Sequence, residues 1–282
     1  MILLKKAVDL TKELKTISDA GKSIGFVPTM GALHEGHLQL VQQCRAGSDI
    51  TVVSIFVNPT QFNDPSDFAR YPVTIEQDIR LLEEAGCDLL FLPSVEEIYP
   101  NGTAQLPRFD LGRLENIWEG KYRPGHFQGV CQVMSRLLEL VMPAKLLMGR
   151  KDYQQCMVIR RLIGLKQWPI QLVIAATVRE PSGLAMSSRN RRLDEQAKEK
   201  ATAIFQALRF LAENLQPGPQ QEMLTRATSM LNNAGFEKID YLALADAATL
   251  EPVDDWNGQQ QLVALAAAFI NEVRLIDNMP LG

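Results

Sequence analysis

The sequence predicts an α/β chain built on a parallel sheet, and three observations carry that reading. Short apolar runs alternate with helical segments over residues 7–176, the pattern of successive βαβ units. The runs are apolar throughout rather than alternating, as strands covered on both faces are. Beyond residue 176 the order changes to helices followed by strands, which marks a smaller α+β domain. The expected division is 1–176 and 177–282.

Each element follows from local signals. AVDLTKELKTISDA (7–20) has helical periodicity, and Gly21 stops it. Ile24-Gly25-Phe26-Val27 is a strand, followed by a helix from about Gly36 to Gly47. ITVVSIFV (50–57) is rich in β-branched residues and ends at Asn58-Pro59. TIEQDIRLLEEAG (74–86) is a helix in which Thr74 caps, Gln77 completes a capping box and Gly86 terminates. DLLFLP (88–93), AKLLMG (144–149) and IQLVIAA (170–176) bring the strands to five. HFQGVCQVMSRLLELVMP (126–143), ended by Pro143, and KDYQQCMVIRRLIG (151–164) are helices between them. In the second domain, 194–215 and 220–234 are helices joined by Gln216-Pro217-Gly218-Pro219, and strands fall near 237–246 and 261–270.

Bulk properties exclude several function classes. With 282 residues, 46% hydrophobic and 22% charged, the chain has material for one or two packed cores. A net charge of -4 gives no basic field for nucleic acid. Arg189-Asn190-Arg191-Arg192 is the one basic cluster, and taken alone it reads as a solvated face. The start, Met1-Ile2-Leu3-Leu4-Lys5-Lys6, is too short and too soon charged for a signal peptide. No run approaches the roughly 20 apolar residues of a membrane helix, so a cytoplasmic protein is expected. Cys44, Cys87, Cys131 and Cys156 form no CxxC pair and read as small buried hydrophobes.

PTMGALHEGHLQLV (28–41) is the most informative stretch. It holds two of the three histidines in the chain, His34 and His37, on the loop from the first strand into a helix. In a parallel sheet, ligands bind beyond the carboxyl ends of the strands. The helix start offers unpaired N–H groups and a positive dipole end, and Gly31 and Gly36 let backbone approach a ligand. His37-Leu38 stand where a phosphate loop has Lys-Ser/Thr, and G-x-G-x-x-G is absent, so neither motif is present. Two imidazoles here suit hydrogen bonds to phosphate oxygens and to charge developing on a leaving pyrophosphate. Capping by partly buried histidines, and metal ligation with His126 as third ligand, are the competing readings.

P-T-M-G-A-L-H-E-G-H resembles the H-x-G-H signature of the nucleotidyltransferase superfamily, in the form found in the pantothenate synthetase (pantoate–β-alanine ligase) family. Further stretches extend the resemblance over residues 26–278: S-I-F-V-N-P-T-Q-F at 54–62, R-Y-P-V-T at 70–74, R-P-G-H-F at 123–127, G-R-K-D-Y-Q-Q at 149–155, L-A-M-S-S-R-N at 184–190 and R-L-I-D-N at 274–278. One H-x-G-H is weak evidence; the ordered set is highly specific. The resemblance implies a Rossmann-like parallel sheet with flanking helices, a smaller C-terminal lid domain, and ATP-dependent joining of pantoate to β-alanine through a pantoyl adenylate. Mg²⁺ would neutralise the phosphates, and a homodimer is expected.

The resemblance also implies site residues. His34 and His37 bind the ATP phosphates, with His37 as the catalytic residue. Met30, Gly31, Ala32, Leu33, Glu35 and Gly36 complete that ATP-binding loop. Gln61 and Gln155 hold pantoate, and Gln61 also lies near β-alanine; without the resemblance both would read as solvated glutamines. Gly149, Arg150, Lys151 and Asp152 serve the nucleotide, with Lys151 on phosphate and Asp152 on ribose. Met186, Ser187, Ser188 and Arg189 form a phosphate clamp resembling the K-M-S-K-S loop of related enzymes, and Val178 meets adenine through backbone groups. Arg123 and His126 in R-P-G-H-F are read as positioning the helix that follows. No residue is assigned as a protein metal ligand. Met148, Arg150 and Trp118 depart from the family pattern, and Arg150 adds charge beside the nucleotide site. Three rivals stay open at this level: another H-x-G-H nucleotidyltransferase, a non-catalytic nucleotide binder, and a metal-dependent hydrolase using His34, His37 and His126.

Overall fold

A computed structural model describes residues 1–63 and 65–281, apart from the side chain of Pro65. The elements are β1 (Ile2–Leu4), α1 (Ala7–Asp19), β2 (Ile24–Thr29), α2 (Glu35–Gly47), β3 (Ile50–Ile55), α3 (Pro65–Ala69), α4 (Ile75–Glu84), β4 (Leu89–Phe91), α5 (Val95–Ile98), α6 (Glu119–Tyr122), α7 (His126–Val141), β5 (Lys145–Gly149), α8 (Tyr153–Lys166) and β6 (Gln171–Ala175). Then follow α9 (Glu195–Ala201), α10 (Ala203–Asn214), β7 (Gly218–Pro219), α11 (Gln221–Asn233), β8 (Lys238–Asp246), β9 (Asp255–Trp256), β10 (Leu262–Ile270) and β11 (Val273–Leu281). Short 3-10 turns sit at Pro59–Gln61, Gly112–Glu115, Arg150–Asp152 and Ser188–Arg192.

Two compact units divide the chain. One comprises Met1–Gly149 and Gln155–Ala176; the other comprises Arg150–Gln154 and the chain from Thr177 onward.

The first unit is a six-stranded parallel sheet in the order β1-β4-β3-β2-β5-β6. The five expected strands are all present. The sixth, β1, is three residues at the sheet edge, paired Ile2 with Leu89, and is too short to show periodicity. Successive side chains face opposite sides of the pleat. Val27, Val53, Leu90 and Leu147 share a core with Leu40, Val41 and Cys44 of α2 and Leu82 of α4. Phe26, Val52, Leu89 and Leu146, of opposite parity, are buried as well, so both faces are covered. The order runs one way from β2 through β3 to β4 and the other way through β5 to β6. The switch point therefore lies between β2 and β5, where open α/β sheets place their ligands.

The second unit packs α9, α10 and α11 against an antiparallel sheet ordered β11-β10-β8. The small apolar run Ala264–Ala268 lies in β10, buried between β8 and β11. Two expectations change here. Residues 194–215 form two helices, α9 and α10, meeting at Thr202. The stretch 273–281, which has Pro280 in it, is a strand; β11 is an edge strand, where a missing N–H is tolerated.

Candidate active site

In the first unit the loop after β2 is shaped by a buried acid. Asp78 on α4 is fully buried and accepts from Ala32 N at 2.9 Å and Leu33 N at 2.9 Å. Thr74 Oγ1 donates to the same carboxylate at 3.1 Å. The expected capping box at Thr74 and Gln77 is therefore not formed; the Thr74 hydroxyl is drawn to Asp78 instead of to the helix backbone. Gly31 has φ +80°, and a Cβ there would stand 3.1 Å from both Asp78 Oδ2 and Ile55 Cγ2, so only glycine fits. Ala32 adopts φ 50°, the left-handed region, and Asp78 holds it there. The N–H groups of Ala32 and Leu33 thus face protein, and any ligand contact of these two residues comes through other atoms.

The chain then enters α2 with extended His34 as its N-cap. His37 N donates to His34 O at 2.8 Å, and the imidazole rings lie 4.1 Å apart. His34 N donates to His37 Nδ1 at 3.4 Å, which leaves the proton of a neutral His37 on Nε2. Nε2–H is the donor that an anionic oxygen would meet.

Gln61 closes the 3-10 turn after β3, and its neighbours fix it closely. Asn58 Nδ2 donates to Gln61 Oε1 at 3.3 Å, and Gln61 Nε2 lies 2.9 Å from Met30 Sδ, which brings the amide onto the histidine loop. Asn58 is itself held by Tyr99 Oη at 2.9 Å and by its own donation to Gly129 O at 3.1 Å. Gly129 of α7 presses on the turn: a Cβ there would stand 2.3 Å from Thr60 O and 2.8 Å from Gln61 Cα. His126 Nδ1 lies 2.8 Å from Gln61 O, and Arg123 Nη1 3.2 Å from His126 Nε2. A guanidinium only donates, so His126 accepts at Nε2 and donates from Nδ1 to the carbonyl. R-P-G-H-F does begin α7, with Gly125 in the left-handed N-cap position, and it also braces Gln61. Gln155 lies half-buried in the first turn of α8, beyond β5. Since β3, β2 and β5 are adjacent and parallel, Gln61, the histidine loop and Gly149 share one sheet edge.

The second unit carries the remaining candidates. Lys151 Nζ lies 3.3 Å from Asp152 Oδ1 in the 3-10 turn Arg150–Asp152. Met186 N donates to Val178 O at 2.9 Å, closing a narrow hairpin in which Arg179 pairs with Ala185. Ser187 caps the next turn by accepting from Arg189 N at 3.3 Å, and Ser188 is buried. Asn190 ties this segment down by donating to Glu180 Oε1 and Ala185 O, each at 3.0 Å.

Sequence reasoning missed Asp78, Asn58 and Tyr99. Asp78 carried a signal: it lies four residues before buried Leu82, an acid on the apolar stripe of its helix. The metal-hydrolase reading loses its site. His126 is committed to Gln61 O, and no group of three or more His, Cys, Asp or Glu is placed to hold a metal among the described residues.

The sheet and this loop define the chain as an α/β protein with a candidate ligand site at the carboxyl edge of its parallel strands. Comparison with known proteins narrows that class. The pantoate-β-alanine ligase family matches residues 2–280. A pantothenate synthetase from Azobacteroides pseudotrichonymphae is 44% identical over 280 residues, covering 99% of each chain. The crystal structure of pantothenate synthetase from Thermus thermophilus superposes with a TM-score of 0.91 at 42% identity, covering 99% of each chain. That of a pantoate-β-alanine ligase from Francisella tularensis, complexed with βγ ATP and β-alanine, gives 0.82 at 36% identity over 99% of this chain and 97% of that one. This chain belongs to the pantoate–β-alanine ligase family. It is a ligase that joins pantoate to β-alanine, and the other nucleotidyltransferases and the non-catalytic binder are set aside.

Proposed function

We propose that the ATP-dependent condensation proceeds through a pantoyl adenylate. A pantoate carboxylate oxygen attacks the α-phosphorus of ATP. A P–O bond forms, the bond to pyrophosphate breaks, and pyrophosphate leaves with the electron pair. No base is needed, because the carboxylate is already a nucleophile. His37, donating from Nε2, and His34 stabilise the charge that gathers on the phosphate oxygens. Gln61 and Gln155 offer carboxamides, which bind a hydroxy acid without adding charge. The amine of β-alanine then attacks the acyl carbon near Gln61. The new C–N bond replaces the bond to AMP, which leaves with its electron pair, and the nitrogen loses a proton to solvent.

Lys151 takes phosphate, Asp152 the ribose hydroxyls, and Met186, Ser187, Ser188 and Arg189 clamp the phosphates. Val178 O already accepts from Met186 N, so the N–H of Val178 is its natural contact for adenine. Mg²⁺ fits as an ion carried by the triphosphate, which keeps most of its waters, since no protein cage of three acidic or imidazole ligands forms among the described residues. We also propose a cytoplasmic homodimer. No helix among the described residues is long and apolar enough to cross a membrane.

The observation that carries this reading is the 2.9 Å contact of Gln61 Nε2 with Met30, which sets a carboxylate-binding amide against the histidine loop. Pyrophosphate release with ATP and Mg²⁺ tests it. Release should require pantoate, accelerate with β-alanine while AMP appears, and fall by about 10²-fold or more in His37→Ala. Release independent of pantoate would overturn it.

A further inference from the structure

Asp277 and Asn278 in β11 are polar residues buried to 5% and 3% exposure, a cost that hydrogen bonds must offset; Asn278 Oδ1 has no hydrogen-bond partner among the described residues, so the work falls on Nδ2 and on Asp277. Asp277 receives Arg179 at both oxygens, 2.6 Å and 3.0 Å. Burial pushes its carboxyl up while Arg179 pulls it down, and burial prevails. The Arg179 guanidinium also lies 4.3 Å from the Phe205 ring centre and donates to Gly183 O at 3.1 Å. Asn278 N donates back to Asp277 Oδ1 at 2.8 Å. Its side-chain Nδ2 then donates to two successive carbonyls, Arg150 O at 2.9 Å and Lys151 O at 2.8 Å. One dipeptide thus holds two separate segments of the second unit: the turn that carries Lys151 and Asp152 and, through Arg179, the hairpin that carries Val178.

We propose that Asn278 is a positioning residue for the nucleotide, orienting the turn from which Lys151 and Asp152 project, with Asp277 and Arg179 fixing Val178 on the same support. The inference rests on the assignment of Lys151 and Asp152 to ATP. The chemistry is selective. A carboxamide NH2 carries two hydrogens in one plane, and here each goes to one of two consecutive carbonyls. Aspartate has no hydrogen to give, and leucine, of similar size, has no polar atom. The directions of the side chains at 151 and 152 follow from the peptide planes that Asn278 grips. A residue that only stabilised the fold would lower the thermal midpoint and leave substrate constants alone.

The test compares Asn278→Leu, Asn278→Asp, Lys151→Ala and the double variant Asn278→Leu/Lys151→Ala in the full-length enzyme. KM for ATP, pantoate and β-alanine, and the thermal midpoint, are measured for each. Asn278→Leu and Asn278→Asp should raise KM for ATP by roughly tenfold or more, the size expected for two lost buried hydrogen bonds, with the other two constants within about twofold. The double variant should raise KM for ATP by less than the product of the two single effects, because Asn278 acts partly through Lys151 and partly through Asp152. Should either single variant fail to fold, Asn278→Ser, which keeps one donor, takes its place and should show a smaller rise of the same kind. A lower midpoint with KM for ATP unchanged would overturn the proposal, as would fully additive effects in the double variant. An unchanged KM for ATP in Lys151→Ala would instead remove the assignment on which the proposal stands.

Discussion

Two 3-10 turns, each following a parallel strand, hold the residues proposed to bind substrates by different means. The turn ending in Gln61 is braced from several sides: Asn58 on its amide, His126 on its carbonyl, Tyr99 behind Asn58, and the bare face of Gly129 against its backbone. The turn carrying Lys151 and Asp152 is held at its carbonyls by one side chain, Asn278, supplied by the last strand of the chain. The first turn is locked by helix packing, where a displacement disturbs many contacts together. The second receives two hydrogen bonds at successive carbonyls from a single amide. On the proposed assignments, pantoate would thus be met by a packed layer, and the nucleotide by a turn gripped from a strand distant in sequence.

Gly129→Ala is the strongest way to break this contrast. Its methyl group would collide with Thr60 O and Gln61 Cα, so the turn or α7 must shift. Alanine favours a helix by about 1 kcal/mol over glycine, so helicity should survive. The expected outcome is a fall of about 10²-fold in kcat/KM for pantoate with ATP affinity within about twofold, read by steady-state kinetics and by calorimetry with a non-hydrolysable ATP analogue. Equal losses for both substrates would mean that the turn does not act on pantoate alone.

Asp78→Asn should produce the next largest effect, now on the histidine loop. One oxygen that accepts from Ala32 N or Leu33 N becomes an NH2 group facing that N–H. A buried donor left unsatisfied costs about 1–3 kcal/mol, so the thermal midpoint should drop. With His34 and His37 displaced, kcat should fall by roughly tenfold. A midpoint loss with kcat unchanged would show that the acid supports the fold and not the loop's chemistry.

His126→Phe and His126→Asn sharpen the comparison further. Phenylalanine fills the ring volume but removes the donor to Gln61 O, and KM for pantoate should rise by about fivefold, the value of one hydrogen bond. Asparagine offers an N–H in nearly the same place and should recover part of that loss. Equal constants in the two variants would show that packing, and not the hydrogen bond, fixes the turn.

The parts of this molecule that follow local rules were legible in its sequence. Alternating apolar runs and helices placed five of the six strands, and glycine-flanked histidines marked the loop after β2. The residues that escaped are those whose partners are remote in sequence. Thr74 followed by Gln77 reads as a capping box, yet the hydroxyl goes to Asp78, whose own purpose is visible only once α4 lies beside the loop. R-L-I-D-N was recognisable as a stretch, and the inward parity of Val273, Leu275 and Asp277 hinted at a buried acid. Its partner Arg179 and the carbonyls gripped by Asn278 lie far back in the chain, where no periodicity points. Asn58, beside a proline, reads as a strand stop, and its bond to Gly129 O depends on how closely α7 packs.

The smallest expected effect is a labelling rate that compares the two supports directly. Cys131 lies on α7 two residues beyond Gly129, and burial pushes its thiol up to about 12. At pH 8 only about one part in 10⁴ is thiolate while the helix stays in place, so a maleimide can react only after local opening. Cys156 is also fully buried, on α8, with Sγ 3.4 Å from Gly149 O just before the Lys151 turn. Once opened, both thiols are ordinary, and the ratio of their labelling rates reads the ratio of the two openings. A turn packed by α7 should open less often than the segment beside a turn gripped at its carbonyls from a remote strand, so Cys156 should label several-fold faster than Cys131. Asn278→Leu should widen that gap by speeding Cys156 alone, and Gly129→Ala should narrow it by speeding Cys131. Matching rates that neither substitution moves would mean that both cysteines open with the whole unit, and that the difference between the turns lies in their geometry alone.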